Sequence, residues 1–356
     1  MDKQPISVAV LAATGRVGQR FVQLMDKHPW FKVAALTASD RSEGKPYLEA
    51  CHWVITEPMP QWAKQMIVLP TSVEAVHKAG EVKLVFSALP ADIAKTVEPE
   101  FAKAGLVVCS NASAYRKEED VPILLPEVNP AHIDLLSAQQ QNHAWKGGII
   151  TNPNCTSTGL TVVLKALQDA FGVKAGFVVS MQAVSGAGYP GVPSLDVIDN
   201  VIPYIGGEEA KVEWEPRKML GDVKDGKIAL ADFILSAHTN RVPVSDGHIV
   251  CLSVKLGHKA NIDEVISCLK SYAPTLPVLD LPSCPQPIIE VMTEDDRPQP
   301  RLDRLMGKGM ATVVGRVRPD PLYDVKMVIL SHNTIRGAAG GSIFNAEWLV
   351  KDARFI

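Results

Sequence analysis

The sequence predicts an α/β protein of two units, a doubly wound parallel sheet followed by a mixed α+β unit. Three observations carry this. A strand, a glycine-containing turn, a helix and a second strand open the chain. Strands of the second half come in runs, with fewer helices between them. A glycine-rich stretch and one last helix close the chain, long enough to pack back on the first unit.

"ISVAVLA" is a short apolar, β-rich run. "ATGRVGQRFVQLMDKHP" turns tightly and continues as an amphipathic helix, with Val17, Phe21, Leu24 and Met25 on one face. "FKVAALTA" is the next strand. This order implies parallel pairing through a right-handed crossover. "VKLVFSALP" (82–90) and "GLVVCSNAS" (105–113) read as further buried strands. Residues 1–154, with about 331–356, are expected to form a doubly wound, Rossmann-type nucleotide-binding domain. Residues 155–330 form the second domain. There "VKAGFVVSMQAVSG", "HIVCLSVKLG" and "MATVVGRVRPDP" read as strands, and "NIDEVISCLKSYAP" as a helix. "LPSCPQP" and "DDRPQPRLD" read as loops. "GAAGGSIFNAEWLVKDARF" reads as a glycine-rich loop and then a helix.

The 356 residues are 46% hydrophobic and 21% charged, which suits a globular protein of two domains. The net charge is −3 with no basic block, which argues against nucleic acid as a partner. No apolar run approaches the roughly 20 residues that span a bilayer. The start moves directly into a strand pattern, so a soluble, cytoplasmic protein is expected. Six scattered cysteines form no CxxC pair, and no metal site is expected.

"AATGRVG" (12–18) follows a strand and opens a helix. Gly15 and Gly18 have the spacing of the last two glycines of a dinucleotide fingerprint; Ala12 stands where the first is expected. Gly15 would let the backbone approach a phosphate, and the helix start would face the anion. The alternative is a tight turn that binds nothing. At the end of the second strand, "TASDRSEGK" offers Ser39, Arg41 and Ser42 beside Asp40. Hydroxyls and a guanidinium suit a 2′-phosphate, so NADP is the expected cofactor.

"TNPNCTSTGL" (151–160) places Cys155 where an irregular segment enters a helix. Buried filler, metal ligand and nucleophile are all open readings. Unpaired N–H groups and the dipole at a helix start depress a thiol pKa and could also stabilise an oxyanion. His248 and Arg241 lie in one strand-loop-strand segment, "HTNRVPVSDGHIVCLSV". The arginine suits a carboxylate and the histidine suits proton movement. Gln182 could bind a carbonyl or amino group, and Ser185 and Gly186 of "SGAG" could approach a cofactor. Glu208 and Lys211 sit three apart on a helix, where a surface ion pair is the plain alternative.

Ten segments, in order from residue 12 to 347, resemble aspartate-semialdehyde dehydrogenases, in particular their archaeal and fungal branch. They are "AATGRVGQ", "TASDRSEGKPY", "FSALP", "SNASAYR", "LLPEVNP", "TNPNCTSTGL", "SMQAVSGAGYPG", "IPYIGGEEAK", "NRVPVSDGH" and "SHNTIRGAAGGSIFNAE". "PNCT" followed by "RVPVSDGH" is the specific pair; Ala12 is the departure. The resemblance implies Cys155 as nucleophile, His248 as general acid/base and Gln182 as the residue orienting substrate. It implies Arg241 for the substrate carboxylate, Glu208 for its amino group, and Lys211, Asn154 and Arg116 for phosphate. Thr14, Gly15, Arg16 and Val17, with Ser39, Arg41, Ser42, Ser87, Leu89, Ser185, Gly186 and Asn333, would bind NADP. The implied partners are a small-molecule substrate and phosphate, and the implied assembly is a homodimer or homotetramer. The implied reaction reduces L-4-aspartyl phosphate to L-aspartate 4-semialdehyde through a thioester, for lysine, methionine and threonine synthesis. N-acetyl-glutamyl-phosphate reductase is a rival, against which Glu208 as a free-amine ligand argues. A non-catalytic NADP-binding regulator is the other, against which the joint presence of Cys155, Gln182, Arg241 and His248 argues.

Overall fold

The computed structural model describes residues 5–354. β1 (Ile6–Leu11) is followed by α1 (Arg16–Leu24), β2 (Phe31–Ala38), β3 (Leu69–Pro70), β4 (Leu84–Ser87), α2 (Ala91–Lys103), β5 (Val107–Ser110) and β6 (Gly148–Thr151). These strands form one sheet in the order β3-β2-β1-β4-β5-β6, all parallel. The chain builds toward one edge first and then returns past β1 to build the other. A crevice is expected where that direction reverses, beyond the C-terminal ends of β1 and β4.

Both faces of this sheet are buried, so its strands read as continuous apolar runs. Val8, Val10 and Phe86 pack with Phe21 of α1 on one face. Ala9, Leu11 and Val85 pack with Phe101 of α2 on the other. On α1 the buried residues are Gly18 to Val22; Val17 and Leu24 are half-buried and Met25 lies just past the helix end.

α3 (Cys155–Phe171) leads into the second layer. β7 (Val173–Ala183), α4 (Glu208–Met219), β8 (Ile234–Val242), β9 (His248–Leu256), α5 (Ile262–Ser271), β10 (Ile289–Val291), β11 (Thr312–Pro319) and β12 (Val325–Ser331) follow. The sheet order is β8-β7-β9-β12-β11-β10. β7–β8 and β10–β11 are parallel and the other pairs antiparallel, the mixed arrangement expected. Helices cover one face, where Leu160, Leu164, Val212 and Val265 pack on Val178, Leu252 and Ile329. On the opposite face Phe177 and Ile234 are exposed.

Two differences from the sequence reading matter. β12, whose neighbours are β9 and β11, is not among the strands the sequence predicts, nor are the short strands β3, β6 and β10. The expected glycine-rich loop near the end is instead a wide helical turn, Ile335–Ala339, running directly into α6 (Gly340–Asp352). Its glycines serve close packing. A Cβ on Gly337 would lie 2.8 Å from Cys155 Cβ, and one on Gly341 2.5 Å from Asn152 Oδ1. Ile343, Ala346 and Leu349 of α6 share a core with Val8 and Phe21.

Candidate active site

A cleft of about 490 Å³ lies between the two sheets. Its walls include Arg16, Asn154, Cys155, Glu208, Arg241 and Asn333.

The first wall is the turn from β1 into α1. Ala12 adopts φ 55°, the left-handed region, at the position where glycine was expected. A Cβ on Gly18 would lie 2.2 Å from the Ala12 carbonyl oxygen, so the helix packs on its strand only with glycine there. Gly15 differs: a Cβ there would meet only Ala12 O, at 3.5 Å. No protein atom fills the space above it. Gly15 caps α1 without a side chain, and the N–H groups of Arg16, Val17 and Gly18 have no acceptor among the described residues. Tyr47 Oη, donating to Ala13 O at 2.7 Å, and Gln19 Nε2, donating to Thr14 O at 2.9 Å, hold the turn. Ser39 and Arg41 are exposed and Ser42 half-buried on a turn closed by Ser42 N–H on Ser39 O.

Three expected cofactor residues are placed differently. Ser87 ends β4 fully buried, its hydroxyl facing the Glu98 carboxyl under the sheet, and Leu89 is buried beside it. Neither lines the cleft. Arg16 does line it, but Nη2 is engaged with Asp246 Oδ1 at 3.3 Å.

Cys155 is the first residue of α3. Asn154 caps the helix, its Oδ1 accepting from Thr156 N–H at 2.9 Å and Ser157 N–H at 3.1 Å. Its Nδ2 donates to Glu208 Oε1 at 2.7 Å and its N–H to Glu215 Oε2 at 2.6 Å. This corrects the expectation of several unpaired donors at the helix start; only the N–H of Cys155 itself lacks an acceptor among the described residues. The expected depression of the thiol is corrected too. Burial pushes Cys155 up to about 12, with Glu208 adding to the rise, while Arg116, Arg241 and Lys211 oppose it.

His248 Nε2 lies 3.2 Å from Cys155 Sγ. Its Nδ1 accepts the Ala183 N–H at 3.0 Å, which assigns the neutral ring's proton to Nε2. Burial, with Arg241 and His332 nearby, pushes the ring down to about 3. The imidazole therefore presents an N–H to the sulfur. Becoming imidazolium would cost it the Ala183 bond.

Arg241, on β8, stands opposite Gln182 on β7 and donates from Nη1 to Ala183 O at 2.8 Å. A Cβ on Gly186 would lie 2.9 Å from that Nη1 and 3.2 Å from His248 Nε2, so any side chain there would crowd both groups. Gln182 is brought near but not in. Its amide donates to Ser180 Oγ at 3.2 Å, and its side chain does not line the cleft. Asn333 lines the cleft while joining two loops, Nδ2 donating to Ser185 Oγ and Oδ1 accepting from Gly247 N–H, both at 2.8 Å.

Glu208 and Lys211 are no surface pair. Glu208 is buried, its Oε2 3.2 Å from Lys211 Nζ, and both line the cleft with Arg116. Arg116 donates from Nη1 to Glu215 Oε1 at 2.9 Å and from Nη2 to Asn111 O at 2.9 Å. Sequence reasoning missed Asp246 and Glu215. Asp246 stood within the quoted "SDGH". Glu215 stood two turns along the helix from Glu208, a spacing that would have found it.

Two families match the chain. One is described as semialdehyde dehydrogenase, NAD binding domain, over residues 7–136, and the other as semialdehyde dehydrogenase, dimerisation domain, over residues 164–336. The aspartate-semialdehyde dehydrogenase of Archaeoglobus fulgidus is 51% identical over 346 residues, 97% of this chain and 98% of its own. That of Schizosaccharomyces pombe is 48% identical over 351 residues, 97% and 98% of the two chains. The crystal structure of aspartate semialdehyde dehydrogenase with NADP from Candida albicans aligns with a TM-score of 0.90 and 42% identity, covering 99% of this chain and 100% of that one.

Proposed function

The chain belongs to the aspartate-semialdehyde dehydrogenase family, and on that footing we propose that its cleft reduces L-4-aspartyl phosphate to L-aspartate 4-semialdehyde with NADPH, through a thioester on Cys155. The reaction serves synthesis of lysine, methionine and threonine in the cytoplasm. One observation carries this reading: the Cys155 thiol, 3.2 Å from His248, has three cations and one carboxylate acting on it. The substrate carries the complementary set, one ammonium against an α-carboxylate and a phosphate. Arg241 would take the carboxylate through its planar fork. Glu208 would take the ammonium, which disfavours an N-acylated substrate. Arg116 and Lys211 would take the phosphate.

Cys155 attacks the acyl carbon, forming the S–C bond as the C–O bond to phosphate breaks, and the thiol proton leaves with the departing phosphate. Nε2 of His248 already bears a proton, so that atom does not accept the thiol's. Instead Nε2–H and the N–H of Cys155 donate to the acyl oxygen as negative charge grows there. Bound NADPH supplies the hydride that reduces the thioester carbon. The S–C bond then breaks, freeing the aldehyde and a thiolate that regains its proton from solvent. The open space over Gly15 and the three free N–H groups of α1 fit a diphosphate. Arg41, Ser39 and Ser42 fit the 2′-phosphate of NADP.

The division into a cofactor unit (1–154 with about 331–356) and a catalytic and oligomerisation unit (155–330) is part of this proposal. So is a homodimer or homotetramer built on the open face of the second sheet. Phe177 and Ile234 are exposed there, with Val179 and Met181 half-buried on the same side of β7. NADPH formation from L-aspartate 4-semialdehyde and phosphate, run beside the N-acetylglutamate analogue, tests the reading. Turnover of the second substrate alone would overturn it.

A further inference from the structure

Four charged side chains follow one another along α4, at 208, 211, 215 and 218. Steps of three, four and three residues keep them on one face. The first two line the cleft. The next two are sealed below it, Glu215 at 1% and Lys218 at 2% exposure. A carboxylate so deep is costly unless each oxygen is answered. One oxygen of Glu215 accepts from Arg116 Nη1 at 2.9 Å, and the other from the Asn154 N–H at 2.6 Å. Lys218 spends its three protons on the carbonyls of Arg116, Glu118 and Val121, at 2.7, 2.6 and 2.8 Å.

We propose that Glu215 is a positioning residue, which sets the phosphate-binding Arg116 and the start of the thiol helix in one frame. Lys218 fastens the loop that carries Arg116 to the same helix. One rigid carboxyl group touches both segments, so it fixes the distance from the guanidinium to the residue before the nucleophile. Charge neutralisation alone would not need the second oxygen on a backbone N–H. α4 thus supplies two groups for the substrate and two that locate the remaining ones. This rests on the phosphate role of Arg116 proposed above.

Glu215→Gln keeps the shape but leaves one of the two donors facing an amide NH2. With phosphate and semialdehyde varied separately, the phosphate KM should rise about tenfold, the loss of one charge-assisted bond, and the semialdehyde KM should stay within about twofold. In an Arg116→Ala background the same change should add nothing further to the phosphate KM, because the two act as a unit. Glu215→Asp keeps the charge but is too short for both donors, and carries the same test should the glutamine variant fail to fold. Equal rises in both KM values, or additive effects in the double variant, would overturn the inference. A phosphate defect in Arg116→Ala that neither Glu215 variant shares overturns it alone. An unchanged phosphate KM in Arg116→Ala would overturn the phosphate site itself, and this inference with it.

Discussion

Two helices begin at the same rim of the first sheet, and they begin differently. α1 starts bare: Gly15 caps it without a side chain, and its first N–H groups have no acceptor among the described residues. α3 starts closed: Asn154 occupies two of its N–H groups, and Glu208 and Glu215 occupy Asn154. A bare start is a site for an anion that arrives from outside. A closed start spends its donors holding a side chain in place. The thiol at 155 is therefore not ionised by its helix; burial prevails and the sulfur stays protonated. A helix terminus is electrostatically useful only to the extent that nothing in the chain has already used it.

The largest effect expected from separating these two starts is chemical. Cys155→Ser should lower kcat on the order of 10⁴-fold while leaving NADP affinity at the bare start intact. Single-turnover kinetics beside a cofactor titration would show it. A serine variant with substantial turnover would break the assignment.

Acid should come next. His248 beside the closed start is held down to about 3, and His332, buried among charged groups near α1, to about 4, both mainly by burial, against an ordinary value of 6.5. The unfolded chain takes up protons that the native state refuses. Stability from this source is thus complete above pH 6.5 and is lost as pH falls toward 4 and then 3, on the order of a few kcal/mol. Melting temperatures recorded over that range should fall, and His332→Gln should flatten the fall. A flat wild-type profile would contradict it.

The bare start offers a paired test of folding against binding. Gly18→Ala forces a Cβ against Ala12 O and should cost roughly 1–3 kcal/mol of stability. Gly15→Ala has room within the protein and should melt near wild type, yet bind NADP more weakly. Similar melting points for the two would erase the distinction. The smallest change is at the closed start. Asn154→Ala should cost about 1 kcal/mol as a lost cap, and alkylation of Cys155 by iodoacetamide should quicken near neutral pH as two N–H groups fall free. Slower alkylation would show that the cap itself was activating the thiol.

Much of this was legible in the sequence because it is local. Glycine spacing after a strand marked α1, and an Asn-Pro-Asn turn before an apolar helix marked Cys155. Arg241 and His248 stood seven residues apart; the first lines the cleft and the second contacts Cys155 behind it. What was not legible depends on side-chain orientation, on competing effects and on contacts distant in sequence. Asn154 is visibly a capping residue, but that its cap outcompetes the dipole required the structure. The Gln182 amide turns to Ser180 by a choice of rotamer, which no pattern encodes. Glu215 gains meaning only from Arg116 and Asn154 on other segments. The glycines at 337 and 341 looked like a loop because composition does not distinguish freedom from crowding.

The chain passes between the two sheets twice near Cys155: after β6, through 152–154, and after β12, through 332–337. The second crossing brings Gly337 against Cys155, and Gly341 against Asn152 of the first. Mechanically, that pair of crossings is an axle, and the reacting sulfur sits on it. Were the sheets to rotate about it, displacement would grow with distance from the axle. The outer lip at Ser39–Ser42 should sweep widest and the sulfur barely move. The cleft can then open for a large dinucleotide without disturbing the atom that must be aimed most finely. Spin labels placed across the lip should report a broad distance distribution that narrows with NADP, while a pair flanking the axle should report one narrow distance throughout.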